Sequence, residues 1–197
     1  MIKVALTGNI ASGKSQVEKI LLSMGYKTAD TDKINHFLLA SDVSVIKEIK
    51  ETFADDDILD EDNNISREKL GKIVFSSDLK KVKLEKILHK RIFDKVNEFF
   101  EKNKDEKIVF VSIPLLFETK QEGNFDKILF VSADENIRLK RLMQRNNYSE
   151  KYAKIRIASQ EKETEKIKKS DYVIYNNSDL VNLRTQTDSV LNKLLNL

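Results

Sequence analysis

Hydrophobic positions along the chain follow two spacings in alternation. Residues 2–7, IKVALT, form a short run rich in β-branched side chains and bounded by Gly8, the pattern of a strand buried on both faces. In the following KSQVEKILLSMG (14–25), Val17, Ile20, Leu21 and Met24 recur at helical spacing, and Gly25 is a suitable stop. YKTADTD (26–32) predicts a second, short strand ending in two aspartates. KIVFVSI (107–113), halted by Pro114, KILFVSA (127–133) and DYVIYNN (171–177) predict three more, and residues 179–197 close the chain as an amphipathic helix. Strands alternating with helices predict an α/β fold with a mostly parallel sheet covered on both faces.

One region breaks the alternation. Residues 43–53, 66–75 and 79–100 all carry apolar residues at helical spacing, with no convincing strand between Ser41 and Asp105. The acidic run ADDDILDEDNN (54–64) predicts a solvated loop, because it lacks the central glycine and terminal glutamate of a calcium-binding loop. The segment at about 41–105 therefore looks like a helical insertion in an α/β core.

Composition narrows the class. The 197 residues carry 35 Lys plus Arg against 32 Asp plus Glu, an excess too small to indicate a nucleic-acid partner. Without cysteine, disulfides and thiolate metal sites are excluded. The first apolar run stops at Thr7-Gly8, too early for a signal peptide, and the longest, IVFVSIPLLF, is too short to span a bilayer. A soluble, cytoplasmic protein with no membrane partner is the expectation.

The chemistry concentrates in Gly8-Asn9-Ile10-Ala11-Ser12-Gly13-Lys14-Ser15, followed by Gln16. This is a complete P-loop pattern between a predicted strand and a predicted helix. Glycines let the backbone wrap so that amides point at phosphate oxygens, and the helix N-terminus favours the same anion. Lys14 can reach the β- and γ-phosphates of ATP, and the Ser15 hydroxyl is a hard ligand suited to Mg²⁺. A regulatory GTPase would need an Asn-Lys-x-Asp guanine reader after a strand. The nearest stretch, NKDE at 103–106, ends in Glu and precedes its strand.

Asp30 and Asp32 lie two apart, and on an extended strand they would face the same side, near the P-loop mouth. A kinase acting on a hydroxyl benefits from a carboxylate that orients it and takes its proton. Asp32 is the choice for that role; Asp30 fits a turn or a helix cap.

LTGNIASGKS (6–15), ADTDKINH (29–36), LHK (88–90), IPLLFE (113–118), LKRLMQRN (139–146), Gln160 and KKSDYVIYNN (168–177) together resemble the dephospho-CoA kinase family across essentially the whole chain. The resemblance implies a P-loop nucleotide kinase-like three-layer fold with a sheet of about five parallel strands. It implies a core at about 1–40 and 106–197, an acceptor-binding insertion at about 41–105 and a lid at about 138–160. It also implies transfer of the ATP γ-phosphoryl group to the ribose 3′-hydroxyl of dephospho-CoA, the last step of coenzyme A synthesis. Asn9 and Ala11 stand where the family often has glycines, His36 where arginine is common, Lys90 where proline is usual and Ser178 where glycine is frequent.

Arg138, Arg141 and Arg145 share one helical face. Spacing alone predicts a solvated basic face. The resemblance makes Arg141 and Arg145 lid residues that close over the transferring phosphoryl group, with Arg141 expected to be mobile and exposed without ATP. It also implies acceptor contacts from His36, Arg67, His89, Leu115 and Leu116, with core packing an equal reading for the two leucines. A nucleoside or nucleotide kinase of the same fold and a regulatory nucleotide switch are the competing readings.

Overall fold

A computed structural model describes residues 1–197. The chain divides into two compact units, Met1–Asp30 with Lys102–Leu197, and Thr31–Glu101.

The first unit is built on a five-stranded, all-parallel sheet in the order β2-β3-β1-β4-β5. The strands are β1 (Ile2–Gly8), β2 (Lys27–Asp30), β3 (Ile108–Ser112), β4 (Lys127–Ser132) and β5 (Tyr172–Tyr175). Central β1 and β3 are buried on both faces, which is why their sequences are continuously apolar rather than alternating. On one face lie α1 (Lys14–Ser23) and the C-terminal α9 (Leu180–Leu195). Val17 and Leu21 of α1 join Leu183, Val190, Leu191 and Leu194 of α9 over Val4, Leu6, Phe110, Leu129, Val131 and Ile174. Removing one such side chain, as in Leu→Ala, costs about 2–5 kcal/mol. The remaining helices of this unit are α6 (Glu135–Asn146), α7 (Glu150–Ala158) and α8 (Glu163–Lys168). Leu142 of α6 and Ala153 and Ile157 of α7 form a small cluster against Ile10 and Ala11 of the P-loop.

The second unit is helical: α2 (Thr31–Ser41), α3 (Val43–Thr52), α4 (Arg67–Phe75) and all but the end of α5 (Asp78–Lys102). Its own core gathers Leu38, Leu39, Val45, Ile49, Phe53, Ile58, Leu70, Ile87 and Leu88. Asp42 caps α3 by accepting from the Ser44 and Val45 amides, and Ser66 caps α4. The acidic segment is not wholly solvated: Ile58 is buried, and Leu59 bridges Ile65 around a turn closed on Asp60.

One element differs from expectation. The second strand stops at Asp30, and α2 begins directly at Thr31, so Asp30 and Asp32 do not lie on one extended strand. The β2 strand is a four-residue edge strand with a single partner, and Asp32 in the first turn of α2 sits where the helix dipole favours an anion. No helix is long and apolar enough to cross a membrane.

Candidate active site

The P-loop leaves central β1 at Gly8 and enters α1 at Lys14. Both glycines are dictated by space. A Cβ at Gly8 would fall 2.5 Å from the Val131 carbonyl oxygen, and one at Gly13 would fall 2.0 Å from Asn176 Nδ2. Gly13 also has φ +99°, the left-handed region. Ala11 adopts φ 61° without being glycine, a conformation that strains an L-residue.

The loop is held from the far end of the chain. The Ile10 amide donates to Gln160 Oε1 at 2.7 Å, so this amide is committed inside the protein. The Ser12 carbonyl accepts from Asn176 Nδ2 at 2.8 Å and from Arg141 Nη1 at 3.4 Å. Arg141 Nη2 donates to the Asn176 carbonyl at 3.0 Å. Asn9 donates to Glu163 and accepts from Lys166. Gln160 and Asn176 stood out in the sequence only through the family resemblance. Glu163 and Lys166 gave no signal, because EKETEKIKKS (161–170) has the composition of a solvated helix.

Burial along the basic face corrects the sequence reading. Arg138 is buried, with Nη2 3.2 Å from Glu163 and Nε donating to the Ala133 carbonyl. Arg141 is half-buried and bonded to the loop, neither solvated nor free. Only Arg145 is exposed.

At the carboxyl edge of the sheet, Lys14 Nζ donates to Ser112 Oγ, on the last residue of β3. Asp30 is the register partner of Ser112 on β2. The edge of this unit thus brings together the P-loop lysine, a serine hydroxyl and the carboxyl end of the second strand. Ser15 and Gln16, in the first turn of α1, are exposed.

In the helical unit, Asp32 and His36 are exposed and four apart on α2, hence on one helical face. Arg67, the first residue of α4, places Nη1 2.6 Å from His36 Nδ1. Arginine only donates, so Nδ1 is the acceptor in this contact. His36 and Arg67, from separate stretches of the sequence, thereby meet on the surface of this unit. His89 is half-buried on α5 beside the core residues Ile87 and Leu88. Of the leucine pair in the first unit, Leu116 is fully buried and belongs to the core, whereas Leu115 is exposed.

No three His, Cys, Asp or Glu side chains are grouped to hold a metal ion. The exposed Ser15 hydroxyl is the hard oxygen donor at this loop, which fits Mg²⁺, an ion that keeps much of its shell as water and phosphate oxygens.

With this geometry in view, the dephospho-CoA kinase family pattern matches residues 2–182. A dephospho-CoA kinase from Fusobacterium nucleatum is 42% identical over 184 residues, covering 91% of this chain and 92% of that protein. A crystal structure from Thermus thermophilus superposes with a TM-score of 0.85 at 31% identity, covering 98% of this chain and 97% of that one. The dephospho-CoA kinase of Campylobacter jejuni gives a TM-score of 0.73 at 33% identity, covering 98% and 96%.

Proposed function

Because the chain belongs to the dephospho-CoA kinase family, we propose that its P-loop unit binds ATP and that Asp32 receives the acceptor hydroxyl. The reaction is ATP-dependent phosphorylation of dephospho-CoA, the last step of coenzyme A biosynthesis. The observation that carries the assignment of roles is the complete Gly8–Ser15 loop mounted between central β1 and α1, with Lys14 at the carboxyl edge of the sheet.

In this reading residues 8–16 cradle the triphosphate, Lys14 exchanges Ser112 for β- and γ-phosphate oxygens, and the Ser15 hydroxyl would hold Mg²⁺, which would neutralise phosphate charge. The ribose 3′-oxygen attacks the γ-phosphorus in line. Its new O–P bond forms as the bond to ADP breaks, and the hydroxyl proton passes to the Asp32 carboxylate. Arg141, bonded to the Ser12 carbonyl, adds positive charge beside the loop. Arg145, exposed at the end of α6, contacts the nucleotide from the lid. The acceptor contacts are assigned to His36, Arg67 and His89 in the helical unit, and to the exposed rather than the buried leucine of the pair Leu115 and Leu116. The enzyme works in the cytoplasm.

The test is ADP release with ATP and Mg²⁺ against dephospho-CoA, nucleoside monophosphates and nucleosides. Turnover with dephospho-CoA alone is expected. Turnover with a nucleoside monophosphate in its place would overturn the acceptor assignment.

A further inference from the structure

Beside the P-loop residue Asn9 lies a chain of alternating charges, its two cations buried and its two carboxylates partly exposed, that phosphoryl transfer does not itself require. Lys166 of α8 is 2% exposed, and its Nζ contacts Glu118 Oε1 and, at 3.1 Å, Asn9 Oδ1. Asn9, itself 5% exposed, donates through Nδ2 to Glu163 Oε2 at 3.2 Å. The same carboxylate accepts from Ser132 Oγ at the end of β4 and pairs with buried Arg138 of α6. Two cations and two carboxylates from three separate stretches of chain therefore alternate, with the Asn9 amide between them.

The arrangement is directional. A carboxylate can only accept and an ammonium can only donate, so the Asn9 amide has one satisfied orientation, with NH₂ toward Glu163 and oxygen toward Lys166. The backbone of the same residue accepts the Ser12 amide at 3.0 Å, closing the turn that leads into Gly13 and Lys14. We infer that Lys166 and Glu163 are positioning residues for ATP binding: through the Asn9 side chain they set the P-loop turn that presents amides and Lys14 to the phosphates. The inference rests on the P-loop being the ATP site, and not on the identity of the acceptor.

A structural role and a positioning role separate in a double variant. Lys166→Met alone leaves the partly exposed Glu118 carboxylate without its partner and is expected to lower the melting temperature slightly. Glu118→Gln/Lys166→Met removes both members of that pair and is expected to recover the melting temperature while leaving Asn9 without its donor. Its KM for ATP should then rise, and its ADP affinity by titration calorimetry should fall, each about tenfold, the loss of one charge-assisted hydrogen bond. The KM for dephospho-CoA should not change. Recovered stability with wild-type ATP and ADP parameters would overturn the inference. If the double variant does not fold, Asn9→Ala decides: it keeps both ion pairs, and a similar loss of ADP affinity supports the inference, whereas wild-type affinity overturns it. ADP binding needs no acceptor, so these outcomes are distinct from a failure of the wild-type protein to phosphorylate dephospho-CoA.

Discussion

Asp32 carries the sharpest chemical claim at the scale of single residues. Asparagine matches its size but cannot take a proton. Asp32→Asn is therefore expected to keep folding and ATP affinity while cutting single-turnover transfer to dephospho-CoA by about 10²–10⁴-fold, the range of a general base. Full activity would remove Asp32 from the mechanism. Asp30→Asn, measured alongside, should have the milder effect, since Asp30 ends β2 and the first turn of α2 follows it. Ala11 makes a different claim. Its left-handed conformation costs about 1–2 kcal/mol relative to glycine, against about 0.4–1 kcal/mol that glycine adds to unfolded-chain entropy. Ala11→Gly is thus expected to stabilise slightly, read as a higher urea midpoint with unchanged slope.

Among the elements, α6 ties the loop to the sheet. Arg141 joins it to the Ser12 and Asn176 carbonyls, so Arg141→Ala should lower the melting temperature as well as turnover. A loss of turnover at unchanged melting temperature would return Arg141 to a mobile lid. The α3 cap is a local test of the helical unit. The Ser44 hydroxyl, then the Val45 and Ser44 amides, hold the Asp42 carboxyl below its usual range. A depressed carboxylate stabilises above its unfolded pKa and loses that contribution as pH falls through the folded value. Asp42→Ala should accordingly cost about 1 kcal/mol at neutral pH, and the difference from wild type in urea unfolding should shrink as pH drops below about 4. These elements also mark how far sequence reading reached. β1, β3 and β4 were legible because burial on both faces leaves an unbroken apolar run. The start of α2 was not, because TADTD fits a strand end as well as a helix start, and only the edge position of β2 decides. The P-loop was legible as a local motif. Its supports were not: Lys166 lies 157 residues from Asn9, inside a run of charges that looks solvated until the partners are known.

For the molecule as a whole, the two units differ in how the chain builds them. The proposed division of labour predicts that ADP slows amide exchange in residues 1–30 and 102–197, while dephospho-CoA slows it within 31–101 and around Leu115. Protection of both units equally by ADP alone would argue against it. The helical unit is one continuous stretch, whereas the sheet unit joins the first residues to the last. Gln160 on Ile10 and Asn176 on Ser12 mean that the loop at the start of the chain is finished by residues near its end. On the ribosome, synthesis runs from the N-terminus and domains fold as their residues emerge. The helical unit can mature while translation continues, but the nucleotide cradle cannot close until α8 and β5 have left the exit tunnel. A nascent chain stalled before Gln160 should therefore be unable to hold ATP, and a frameshift late in the message would abolish a site encoded at its beginning.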